Sequence, residues 1–187
     1  MTESIVAEPA ITQGLRYDPT TIALHWVTAV LVVSLWIIGQ TVDFPPTPAL
    51  RVDYRSLHIV FGVTLGIILL ARLAWRLTRR DAPPPIDQGL LLGIARLTHW
   101  GLYVLLVLAV GLGIATTWTR GDSIFGRFSI PAFDPGNRAL MRQIHGWHAL
   151  AANTLLIVAG LHAAAALFHH FIMRDATLRR MLPWQQR

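Results

Sequence analysis

The chain has 187 residues, 53% hydrophobic and only 14% charged, against about 25% charged in ordinary soluble domains, which excludes a soluble globular domain in favour of a polytopic membrane protein. It has no cysteine, which excludes covalent haem attachment through Cys-x-x-Cys-His, iron–sulfur clusters, thiolate zinc and disulfides, so any metal is held by histidine, by oxygen or within a non-covalent cofactor. The net charge of +6 is all arginine; the arginines gather just beyond apolar runs and form no basic stripe interleaved with aromatics, so the partner they imply is the lipid bilayer and not nucleic acid.

Residues 1–21 carry Glu3, Glu8 and Asp18 and lack the basic start, apolar centre and small-residue cleavage site of a signal peptide. They read as a polar N-terminal tail. The first membrane span is predicted over 22–42, closed by Phe44-Pro45-Pro46-Thr47-Pro48, which cannot continue a helix. The second runs over 57–77, closed by Arg79, Arg80 and Pro83-Pro84-Pro85. The third covers 97–118 and the fourth 147–172, with a polar tail over 173–187. The predicted fold is thus all-α, an integral membrane bundle of four transmembrane helices over 22–172. The longest connection, about 119–146, holds Phe125, Phe128, Ile130 and Phe133 among glycines and prolines. It is expected to fold over one face of the bundle, a plain linker being the alternative.

Orientation follows from the arginines. Arg16, Arg72, Arg76, Arg79, Arg80, Arg96, Arg174, Arg179, Arg180 and Arg187 lie on the side of the two termini, and Arg51, Arg55, Arg120, Arg127, Arg138 and Arg142 on the other. Ten against six predicts both termini in the cytoplasm. Trp36 lies too deep to belong to either interfacial aromatic belt.

All eight histidines fall in or beside a span, where ionisable groups are costly and usually functional. His148 and His162 share the fourth span; their spacing of fourteen residues gives roughly 21 Å of rise and an offset of about 40°, so one helix presents two imidazoles on one face, one near each side of the hydrocarbon. His25 sits at the depth of His162, and His58 at the depth of His148. Each pair, His25 with His162 and His58 with His148, is suited to clamp one planar iron porphyrin axially. Gly62 and Gly66 follow His58 on its helical face, and Ala159, Ala163 and Ala166 surround His162, leaving room for such a ring or, equally, for close helix packing. His99 competes with His25 as a ligand, and His145 falls above the outer pair. His169 lies seven residues past His162 on nearly the same face, suited to hydrogen-bond or protonate a substrate, or with His170 to form an interfacial pair. No Asp or Glu falls within the four spans, which disfavours a cation transporter. No P-loop, dinucleotide fingerprint or hydrolase triad occurs, so chemistry has to come from a bound redox centre.

These residues resemble the prokaryotic cytochrome b561 family, four-helix di-haem proteins of the inner membrane. The resemblance rests on Ile22-Ala23-Leu24-His25-Trp26, on His58 with Gly62 and the closing Arg72-Leu73-Ala74-Trp75-Arg76, on Arg120-Gly121, Phe125-Gly126 and Pro131, and above all on Gly146-Trp147-His148 and Gly160-Leu161-His162 through His169-His170. It implies two haem b groups (protohaem IX) held by His25/His162 and His58/His148. It also implies an oxidoreductase taking electrons from superoxide, or another periplasmic one-electron donor, and passing them to ubiquinone near the cytoplasmic side. Arg51, Arg55, Arg138 and Arg142 would then draw an anion toward the outer site, and His169 would contact the quinone. The outer loops also hold Asp43, Asp53, Asp122 and Asp134, so the steering would be modest. The loop from Asp81 to Ala95 lacks the lysines that the family can place there. The alternative reading is the haem b anchor subunit of a larger dehydrogenase or hydrogenase.

Overall fold

The computed structural model describes residues 16–78 and 83–183. Most of the N-terminal tail, Arg79, Arg80 and Asp81 between the second and third spans, and Arg187 at the end lie outside the described residues.

Helix α1, Pro19–Thr41, starts from a strong local signal. Asp18 at the N-cap accepts from the Thr21 N–H at 3.0 Å and the Thr21 hydroxyl at 2.6 Å, with Pro19 at the first helical position. Helix α2, Pro48–Thr78, starts from the same proline-rich stretch that ends α1: Thr47 Oγ1 accepts from the Leu50 N–H at 3.3 Å, and Pro48 lacks an N–H that would be unpaired there anyway. Helix α3, Gly89–Arg120, closes on Gly121 in the left-handed region with φ 71°, its N–H bonded to the Thr117 carbonyl. Helix α4, Arg138–Phe168, is capped by Asn137 and widens at its end into a π turn, His169–Met173. α2, α3 and α4 all run past the apolar stretches visible in the sequence, because caps and polar ends extend them beyond the hydrocarbon.

The connection from α3 to α4 is folded and is no plain linker. Strands β1, Ser123–Ile124, and β2, Phe128–Ser129, pair antiparallel across the three residues Phe125, Gly126 and Arg127, with Phe125 and Gly126 at positive φ and the Arg127 N–H donating to the Ile124 carbonyl at 3.0 Å. Ser56 of α2, fully buried, anchors this hairpin: its hydroxyl accepts from the Phe125 N–H at 2.7 Å and donates to the Val52 carbonyl at 2.7 Å.

Leu35, Leu65, Leu69, Leu106, Ala109, Ala151 and Leu155 meet at the bundle centre. Ile67, Leu70, Leu97, Ile157 and Leu161 face outward, each at least 62% exposed, on helices long and apolar enough to cross a bilayer. The deep Trp36 also finds a use: its Nε1–H donates to Asn153 Oδ1 at 2.9 Å, joining α1 to α4. The start of α1, the segment after α4 and Pro84 of the α2–α3 connection share one side, the termini side. Trp75 Nε1–H donates to Asp18 Oδ1 at 3.2 Å, Trp26 Nε1–H to the Met181 carbonyl at 2.7 Å, and Arg180 to the Pro84 carbonyl at 2.7 Å. The hairpin closes the opposite side.

Candidate functional site

The four helices bring the histidines into two groups. On the hairpin side, His58 of α2 and His148 of α4 face each other with ring centroids 6.1 Å apart. His148 Nδ1–H donates to the Ala109 carbonyl of α3 at 3.0 Å, which leaves Nε2 as the free nitrogen. Four residues on from Ala109 is Gly113, where a Cβ would lie 3.1 Å from the His148 Cε1 and 3.5 Å from its Nδ1. The missing side chain is what lets the imidazole reach a carbonyl already bonded within its own helix, using the second lone pair. His58 has the same surroundings on α1. A Cβ on Gly39 would lie 3.2 Å from its Cε1, and the Leu35 carbonyl, four residues earlier, is its backbone neighbour. That contact falls short of hydrogen-bond geometry, so His58 Nδ1 is buried without a partner.

On the termini side, His25 of α1 and His162 of α4 stand 6.4 Å apart. A third imidazole, His99 of α3, lies 5.1 Å from His162, its Nδ1–H donating to the Ala95 carbonyl at 2.7 Å. Arg72 Nη2 donates to His25 Nδ1 at 3.1 Å, and the guanidinium lies 5.4 Å over the Tyr103 ring.

Two imidazoles bound on opposite sides of one metal, with metal–nitrogen bonds of about 2.0–2.1 Å, have centroids about 6.3 Å apart. Both pairs meet this spacing, whereas His99 and His162 are too close for it. Neutral imidazole suits iron, and a ring nitrogen turned to a backbone carbonyl is the usual support of a ligating histidine. The hairpin-side pair therefore fits in separation, with the carbonyl support in place at His148 and absent at His58. The termini-side pair fits in separation, but coordination through Nε2 leaves the proton on Nδ1, where it cannot accept from Arg72, so Arg72 has to turn aside. Of the two glycines below His58, Gly66 lies against Val110 and serves helix packing, while a side chain at Gly62 would meet nothing within 4 Å.

At the hairpin end, Arg55 approaches Asp43 at 3.8 Å and Asp122 at 3.7 Å, and Arg51 donates to the Pro45 carbonyl. Arg138 and Arg142 are exposed on the first turns of α4. Arg120, absent from the sequence-based set, joins this group through Asp122 at 3.8 Å and reaches His145 at 3.4 Å. Burial pushes the Asp122 carboxyl above its ordinary range, against the pull of Arg120 and Arg55. At the other end, His169 Nδ1 lies 2.6 Å from Asp175 Oδ2. Burial raises the Asp175 carboxyl, but the hydrogen bonds from His169 and Thr177 outweigh it and hold it below its ordinary range. His170 turns its ring edge-on to Phe171 and takes no part in this contact.

Gly39, Gly113 and Asp175 were not singled out by sequence reasoning, and Arg72 entered only as an orientation charge and as part of the motif closing the second span. The glycines did leave a signal, since an isolated glycine inside a helix usually has a packing or functional reason; Asp175 left none, because its partner is reached by an irregular turn.

The sequence model of prokaryotic cytochrome b561 matches residues 16–184. The chain is 31% identical over 172 residues to a probable superoxide oxidase of Yersinia pestis, covering 90% of this chain and 96% of the relative. It is 31% identical over 174 residues to a cytochrome b561 homologue of Escherichia coli, covering 90% and 97%, and 29% identical over 181 residues to a cytochrome b562 of Cereibacter sphaeroides, covering 92% and 98%.

Proposed function

From the premise that the chain belongs to the prokaryotic cytochrome b561 family, and so is a multi-pass membrane electron-transfer protein of a family built on b-type haem, we propose that it carries two b haems. His58 and His148 hold one, and His25 and His162 the other. When bound, the haems supply one-electron transfer between the two sides of the bilayer. The observation that carries this reading is the pair of imidazole separations, 6.1 Å and 6.4 Å, at opposite ends of one bundle.

The hairpin side faces the periplasm and the termini the cytoplasm, in line with the arginine bias. The donor is superoxide, a reading supported by the name of the Yersinia pestis relative, and the acceptor is ubiquinone. Each residue has a defined task. The Ala109 carbonyl fixes the His148 tautomer and ring plane. Arg51, Arg55, Arg138 and Arg142 raise the local concentration of an anion, modestly, since Asp43 and Asp122 offset Arg55. His169 hydrogen-bonds the quinone head group on the cytoplasmic side.

The test is the purified, haem-loaded protein given a steady superoxide source and a short-chain ubiquinone. Superoxide loss and quinol formation well above the spontaneous rates are expected. If neither exceeds the spontaneous rate, the superoxide reading falls and the anchor subunit of a larger dehydrogenase or hydrogenase replaces it.

A further inference from the structure

The end of α4 departs from regular geometry at His169, and the departure has a chemical result. Asp175 lies six residues further on, a spacing that on an uninterrupted α-helix puts two side chains about 120° apart around the axis and about 9 Å apart along it. Here the chain widens into the π turn His169–Met173, reverses at Arg174 in the left-handed region with φ 55°, and bonds the Asp175 N–H to the His169 carbonyl at 3.2 Å. Asp175 Oδ2 thereby comes to 2.6 Å from His169 Nδ1. The Thr177 N–H donates to the other carboxyl oxygen at 2.8 Å, and the Thr177 hydroxyl stands 3.5 Å from the same imidazole nitrogen. The His169 and Asp175 side chains are only 15% and 19% exposed. A π turn and a left-handed non-glycine residue both cost free energy, and such features concentrate at functional sites.

We propose that Asp175 is a positioning residue for proton delivery to the quinone: it locks the His169 ring and keeps a proton on Nδ1, so that Nε2 is the atom presented to the quinone carbonyl. This rests on the reading of His169 as the quinone contact. Reduction to the quinol takes two electrons, supplied by the one-electron donor, and two protons. His169, as imidazolium, gives its Nε2 proton to the nearer carbonyl oxygen; that N–H bond breaks as the O–H bond forms, and the far oxygen takes its proton from water. The imidazole left behind is neutral, with its remaining proton on Nδ1 toward Asp175, and water on the termini side restores the proton at Nε2. A carboxylate on Nδ1 holds the ring by that nitrogen and prevents it from turning its other nitrogen away from the substrate.

The experiment follows the reduced, haem-loaded protein by stopped flow as a short-chain ubiquinone reoxidises it, alongside its reduction by the donor. D175N is expected to slow reoxidation about 100-fold with haem content and donor reduction unchanged, and D175E to recover most of the rate. H169Q is expected to be equally slow, and D175N added to H169Q to cost nothing more, because the two act as one unit. Wild-type reoxidation in D175N beside a slow H169Q overturns the proposal, as do two losses that multiply. A wild-type rate in H169Q overturns instead the quinone reading of His169. Should D175N fail to load haem, D175A, alone and in the H169Q background, decides by the same comparison.

Discussion

The two histidine pairs share a spacing but are built by different means. On the hairpin side the imidazoles lie against backbone: His148 on the Ala109 carbonyl beside Gly113, and His58 beside the Leu35 carbonyl and Gly39. On the termini side the surroundings are side chains, Arg72 with Tyr103 beneath it and His99, and a Cβ added at Gly101 or Gly160 would meet nothing within 4 Å. A site shaped by backbone is rigid and intolerant of added volume. One shaped by side chains holds alternatives and can rearrange.

The largest expected effect breaks this comparison at its ligands. His58→Ala removes the hairpin-side haem entirely, because no other imidazole lies opposite His148 at ligand distance. His25→Ala leaves part of the termini-side haem in place, because a site built of side chains lets His99, 5.1 Å from His162 and too close to it as it stands, move back to ligand distance and offer its free Nε2. Haem per chain, measured by pyridine haemochrome on each purified variant, separates the two; equal losses would remove the distinction.

Next in size is added volume. Gly113→Val and Gly39→Val push carbon into the His148 and His58 rings, and overpacking of this kind costs about 1–3 kcal/mol. Haem occupancy and midpoint potential should change on the hairpin side alone, as read by redox titration of the two components. Gly160→Val, at a position with no near neighbour, is the matched control and should change neither.

The sequence made the pairing of the histidines legible because depth and helical period are one-dimensional quantities: His148 and His162 lie on one helix, and His25 and His58 can be placed by counting from the ends of their spans. It also carried the four-helix fold, since apolar length is readable directly. The reach of the helices was not legible, because Thr47, Asn137 and the glycine at 121 set their ends through caps outside the apolar runs. The glycine cradles were hidden too, since they depend on which helix faces which histidine. Asp175 escaped for another reason: regular helical geometry places it away from His169, and only the π turn with the reversal at Arg174 joins them.

A smaller effect sharpens the termini side. His99→Ala should leave haem content intact and shift only the component held by His25 and His162, by tens of millivolts or less, in a redox titration; loss of that haem would make His99 a ligand in its own right. The smallest effect is in acid stability. The Asp175 carboxyl is held below its usual 3.8, so its contact with His169 contributes stability fully present above that value and lost as pH falls through the lowered one. Thermal unfolding of wild type and D175N should therefore differ near neutral pH and draw together only as the pH falls below 3.8.

The central claim is two haems held by two separate imidazole pairs. The reduced-minus-oxidised absorption spectrum of purified His148→Ala, with haem counted per chain beside the wild type, tests it most directly. Two haems in the wild type and one in the variant, with the remaining α-band unshifted, is the result expected. Loss of both haems, or of neither, would contradict it.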